Sequence, residues 1–199
     1  MMLIEKTAVP DGSLPVDEFK AHLRLGSGFG QDSVQDAVLT SFLRAAVTAI
    51  EARTSKVLFE RTFELSVRVW RDLGSHGLPV APVNALTDLE IVARDGTRTS
   101  IDSATYWLER DGHVPRLRST GVALPTVPEA GEAVVTFDAG FGVEWLDVPA
   151  DLRQAVLLLA AHYYEFRNET SLSEGCMPFG VTSLIERYKV MRLYGGGTR

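Results

Sequence analysis

The chain has 199 residues, 45 % of them hydrophobic, which is enough for one sizeable domain or two small ones with a real core and excludes disorder as the default. Twenty basic residues against 26 acidic ones give a formal charge of −6, the reverse of the balance by which dedicated nucleic-acid binders grip phosphates. No run approaches the ~20 apolar residues that span a bilayer, Met1 to Lys6 has no signal-peptide pattern, and the single Cys176 can form neither an intrachain disulfide nor a Cys-rich metal site. The expectation is a soluble, unexported, cytosolic protein.

In chain order, the start runs loosely through Pro10-Asp11-Gly12-Ser13. Val16, Phe19 and Leu23 then recur at helical spacing and predict a short helix. Gly26-Ser27-Gly28-Phe29-Gly30 breaks it. Asp32 or Ser33 can cap a second helix to about Thr54, with Val38, Phe42, Ala45, Ala46, Ala49 and Ile50 as its buried stripe and Gln35, Arg44, Glu51 and Arg53 facing water. From Phe59 the period changes to two, and Phe59, Arg61, Phe63, Leu65, Val67 and Val69 predict one buried strand face. Leu89 to Arg94 and Thr97 to Ile101, joined by Asp95-Gly96, read as a hairpin. Further short strands are expected around Tyr106 to Glu109, Arg116 to Arg118 and Ala133 to Asp138, in a sandwich- or barrel-like antiparallel unit.

The helical period returns after Gly140-Phe141-Gly142. Pro149 suits a first helical turn, and Leu152, Ala155, Val156, Leu159, Ala160 and Tyr163 share a face to about Phe166, with Leu157, Leu158, Ala161 and Tyr164 widening it. Such a helix is central to a bundle or has a second partner. Ser183-Leu184-Ile185-Glu186 has the form of a capping box and predicts a last helix through about Tyr194, followed by Gly195 to Arg199 as a mobile tail. The fold class is therefore α+β. Residues 1–57 and 144–199 are expected to form one helical bundle, with residues 58–143 inserted between them as a small β domain.

The chemistry on offer is sparse. The glycine loop at 26–30 lacks a preceding strand, the dinucleotide-binding spacing and a Walker lysine. His162 and Glu165, with Glu169 a turn on, share a helix face without a third ligand. His22, His76 and His113 are scattered, and nothing near Cys176 would activate a thiolate. Asp147 with Asp151, and Glu129 with Glu132, fall where caps and loops place carboxylates. No catalytic set, metal site or cofactor site is predicted, and the expectation is a non-enzymatic module. The last segment differs. Arg187, Tyr188, Met191, Arg192, Leu193 and Tyr194 mix aromatic, Met and Arg residues in the proportions of an interface. Its first two turns either pack on the bundle or face a partner, and its end can order on docking.

Six runs carry a resemblance. They are Lys20-Ala21-His22-Leu23-Arg24, Leu78-Pro79-Val80-Ala81-Pro82-Val83, Phe137-Asp138-Ala139-Gly140-Phe141-Gly142, Val148 to Ala155, His162-Tyr163-Tyr164-Glu165-Phe166-Arg167 and Pro178-Phe179-Gly180-Val181. In this order they resemble the landmarks of the phage head-tail connector (adaptor) family, in particular its gene transfer agent version. The resemblance implies a ring, typically of twelve copies, below the portal protein. That ring hands a DNA channel on to a stopper or tail-terminator protein, and DNA passes as cargo without sequence-specific binding. It further implies a C-terminal helix or tail that reaches the portal, mapping here onto about Ser183 to Arg199. Assembly in the bacterial cytoplasm and residence at the head-tail junction of a phage-like particle follow, with no membrane partner. Two alternatives stay open on the residues alone. One is a small ligand-binding or enzymatic β domain on a helical oligomerisation scaffold; the other is a cytosolic oligomeric regulator.

Overall fold

The protein is described by a computed structural model over residues 1–25, 33–167 and 177–189. Its helices are α1 (Val16–His22), α2 (Ser33–Thr54), α3 (Ala150–Glu165) and α4 (Phe179–Ile185). In α1, Asp17 and Glu18 lie in the first turn and Lys20 and His22 in the last, the arrangement that suits the helix dipole, and Phe19 points inward. The stripe of α2 is rotated from the predicted one. Leu39, Leu43, Ala46, Val47 and Ile50 are buried, whereas Val38 is 45 % exposed and Ala45 faces solvent. Both sets fit a 3.6 period, and the larger aliphatic side chains take the inner face. In α3 the apolar surface is as broad as expected, with Leu152, Ala155, Val156, Leu157, Leu159 and Ala160 all buried. Pro149 is its cap rather than its first helical residue.

The last helix corrects the sequence reading. It starts at Phe179, directly after Pro178 in extended conformation, so Ser183 lies inside it and caps nothing. From Glu186 the backbone tightens into a 3-10 turn, Glu186–Tyr188, instead of continuing as α-helix. The remainder of the predicted helix and the glycine tail lie outside the described residues, as does the 26–30 loop.

Among the described residues, eight strands, β1 (Met2–Glu5), β2 (Arg61–Val67), β3 (Ser75–Gly77), β4 (Val83–Val92), β5 (Arg98–Ser100), β6 (Tyr106–Glu109), β7 (Arg116–Ser119) and β8 (Glu132–Ala139), form two antiparallel sheets. Their orders are β1-β2-β8-β4-β5 and β3-β7-β6. The predicted hairpin is β4-β5, closed by Ala93 N–H to Thr97 O at 2.9 Å and by the Asp95 carboxylate on Thr97 N–H at 2.9 Å. The β4 strand starts earlier than expected and follows β8 with register shifts after Val83 and after Leu86. Such bulges bend a strand and increase its twist. Two strands were not anticipated. The opening residues are not loose, because Leu3 pairs with Leu65 on the sheet edge, and Ser75–Gly77 pairs with β7. Phe63, Leu65, Leu89, Val135 and Phe137 of the large sheet share one apolar cluster with Tyr106 and Leu117 of the small one and with Leu78 just after β3.

A second cluster fills the bundle and draws on both ends of the chain: Phe19, Leu43 and Ile50 meet Leu152, Val156, Val181 and Ile185. Neither end has the length to bury these residues alone, which is why the helices before and after the β segment pack together.

Candidate functional site

The interface candidates at the chain's end begin where α4 turns into its 3-10 extension. Val181, Ile185 and Tyr188 are buried there against the bundle. Tyr188 is only 8 % exposed, and its hydroxyl donates to Asp151 Oδ1 at 2.7 Å in the first turn of α3. Its ring meets Phe141 edge-on at 6.4 Å. Burial, followed by the Asp151 bond, pushes the phenol pKa up, so the hydroxyl stays a donor. Arg187 lies outside this contact and covers it. Its Nε is 3.0 Å from Asp151 Oδ2, its Nη2 donates to the Tyr188 hydroxyl at 2.6 Å, and its guanidinium carbon is 4.7 Å from the Tyr188 ring centre. Tyr188 is thus an anchor, and Arg187 is a solvent-facing clamp over it. The next residue, Lys189, pairs with Glu186 at 2.5 Å. Met191, Arg192, Leu193 and Tyr194 lie outside the described residues.

Asp151 is the partner that sequence reasoning missed. It lies 37 positions from Tyr188, and no local spacing links the two. Read alone, Asp151 looks like an ordinary first-turn carboxylate.

Several landmark runs stitch the helical and β parts together. In Leu78 to Val83, Ala81 N–H donates to Ser55 O at 3.0 Å and Ala81 O accepts from Val57 N–H at 2.9 Å, fastening the end of α2 to the strand that follows. In Phe137 to Gly142 the glycines allow close approach. A Cβ on Gly140, at φ 142°, would lie 2.4 Å from Glu60 Cα, and one on Gly142 would lie 2.3 Å from Asp147 Oδ2. Asp147 also accepts from Glu144 N–H at 3.0 Å, within a reciprocal cap. Trp145 stacks on Phe59 at 6.1 Å and donates from Nε1 to Glu18 at 2.6 Å, tying the chain after β8 to α1.

The deepest ionic joint is Arg61. It is 9 % exposed, and its Nη2 donates to Glu51 Oε1 and Oε2 at 2.6 and 2.7 Å, while Nη1 donates to Glu5 Oε2 at 2.8 Å. One guanidinium therefore joins α2, β1 and β2. The sequence reading placed Glu51 in water; it also accepts from Leu58 N–H at 2.8 Å. Burial pushes its carboxyl up, and the Arg61 charge and the Leu58 bond pull it back down.

The other polar candidates do not converge on a reaction. His22, His162 and Glu165 come together around one surface hollow of about 310 Å³. His162 packs its ring 4.7 Å from that of Phe166. His113 Nδ1 faces Lys56 Nζ at 3.3 Å, and His76 is buried. Glu129 lies beside an open hollow with Asp95, away from these groups. Among the described residues, no three His, Cys, Asp or Glu side chains gather in a way that could hold a metal ion. Glu169 and Cys176 lie outside them.

No protein-family model matches the chain, and no curated protein matches it. Solved structures do. A chain of the neck of an empty gene transfer agent (GTA) particle, computed with C6 symmetry, is 47 % identical over 98 % of this chain and 99 % of its own, with a TM-score of 0.89. A chain of the virion of a native GTA particle is 47 % identical at the same coverage, with a TM-score of 0.87. One from the neck of a native GTA particle, computed with C12 symmetry, is 44 % identical with a TM-score of 0.85. An α+β bundle with an inserted sheet unit, matched from end to end to neck components, defines a structural connector of phage-like particles. Within that class the chain belongs to the gene transfer agent head-tail adaptor family.

Proposed function

We propose that twelve copies of this chain form a ring at the head-tail junction of a phage-like particle, between a portal protein and a stopper or tail-terminator protein. The ring is assembled in the bacterial cytoplasm, passes DNA without reading its sequence, and performs no catalysis. The observation that carries the reading is 47 % identity across nearly the whole chain to a protein of a particle neck. At such identity and coverage the two chains share one fold from end to end.

Within this reading Arg187, Met191, Arg192, Leu193 and Tyr194 meet the portal, and Tyr188 fixes the point from which they depart. Aromatic, Met and Arg side chains suit such a role, being the types that dominate binding energy at interfaces. A chain ending at Lys189 keeps the Tyr188 anchor and the whole apolar core. It should fold with an unchanged melting temperature and fail to join portal-bearing heads. Unchanged attachment of that chain would overturn the docking assignment.

A further inference from the structure

A large cleft of about 960 Å³ opens where the end of α2, the loop before β3 and the β7 strand meet the end of the described chain. Its lining includes Arg53, Arg71, His76, His113, Arg116 and Lys189, with Asp72 as the carboxylate among them. Asp72 is already engaged, accepting from Gly74 N–H and Ser75 Oγ at 3.0 Å each. Arg71 and Arg116 are exposed and have no ion-pair partner among the described residues. With Lys189 paired to Glu186, it is Arg71 and Arg116 that make the cleft positive, on a chain of net charge −6 whose remaining surface is more acidic still.

His76 forms part of the wall of the cleft. His76 is 6 % exposed, and neither of its ring nitrogens has a hydrogen-bond partner, although the edge of Trp70 packs 5.3 Å away. Burial and the nearby Arg71 charge push its pKa down, so the imidazole is neutral and offers one donor and one acceptor. With both nitrogens closed to solvent, this ring leaves the charge that faces the cleft to Arg71 and Arg116.

We propose that this cleft receives a carboxylate-bearing segment of an adjacent copy of the chain. This inference rests on the ring reading above. Copies related by a rotation of higher order than two meet through unlike patches, so a cationic patch on one side of each copy requires an acidic patch on the other. A chain that is acidic outside the cleft supplies it. DNA is the weaker occupant, because a net negative protein repels a polyanion at range.

Zero-length carbodiimide coupling tests this in purified particles carrying Arg71→Lys or Arg116→Lys. These particles are assembled from a mixture of isotopically light and heavy chains, so that links between copies are distinguished from links within one. The expected product joins position 71 or 116 to an Asp or Glu of another copy. Links only within one chain, links to a different neck protein, protection by DNA, or no link would each overturn the cleft assignment. Absence of the protein from particles would overturn the ring reading instead. As a second readout, Arg71→Glu with Arg116→Glu should lower incorporation by at least about tenfold while leaving the melting temperature unchanged, since like charges facing one another oppose association. Undiminished incorporation of that double variant would contradict the proposal.

Discussion

Arg61 shows how much one residue can organise. It lies in a strand whose alternation predicts an apolar position, and it reaches carboxylates 10 and 56 residues away. Removing one partner of a buried pair strands the other, at about 3 kcal/mol or more. Arg61→Met should therefore lower unfolding free energy by about 3 kcal/mol at pH 7, measured by urea titration. The pH dependence has a defined sign. Without Arg61 the Glu51 pKa rises further above its unfolded value, so the folded state binds the proton more readily. The deficit must then shrink as pH falls from 7 towards 5. A deficit that grows on acidification would show that Glu51 is not the stranded group. Gly140 is the other sensitive point, since alanine there meets Glu60 backbone at a φ of 142°. Gly140→Ala should cost about 2 kcal/mol in the same titration. Neither residue announces its role in sequence. Arg61 matches a strand pattern except in charge, and the glycine's neighbour is a backbone 80 positions earlier.

At the scale of elements, legibility followed length. The α2 and α3 helices run 22 and 16 residues and express several turns of period, so their bounds and packing partner could be read directly. Even there the stripe of α2 was misjudged by one position, because alanines and valines fill both candidate faces. Four residues in β1 and three in β3 are too few to show alternation, and Ser75-His76-Gly77 has no strand-forming side chain to suggest it. They are strands because β2 and β7 offer free edges. The false capping box at Ser183 is a coincidence of residue types. Pro178 had already set the helix start, and Gly180 hid it. The terminal anchor was half legible: its composition suggested an interface, while its inward-facing half needed Asp151, which only the fold supplies. Tyr188→Ala should cost about 3 kcal/mol and expose the chain near Lys189 to limited proteolysis. Tyr188→Phe should lose about 1 kcal/mol and keep protease resistance. Equal sensitivity of both variants would mean that the hydroxyl bond, rather than ring burial, holds the segment.

For the whole molecule, the split of the core into a bundle cluster and a sheet cluster follows from two hydrophobic periods in one chain. The end-to-end joining of helices follows from their being too short to stand alone. What periodicity could not supply is the assembly. A ring interface is written in surface residues whose partners are on other copies, and the ordered landmark runs pointed to it only through resemblance. The landmarks prove to have local physical reasons, such as close glycine approach in Phe137 to Gly142 and strand-to-helix stitching in Leu78 to Val83. They are constraints of the adaptor fold and not of a site.

The most direct measurement is an electron-microscopic reconstruction of particles purified from cells with the gene for this chain and from cells lacking it. The account predicts a twelve-copy collar between head and tail that contains this fold, and heads lacking tails when the chain is absent. A collar built without it, or complete tailed particles in its absence, would contradict the account.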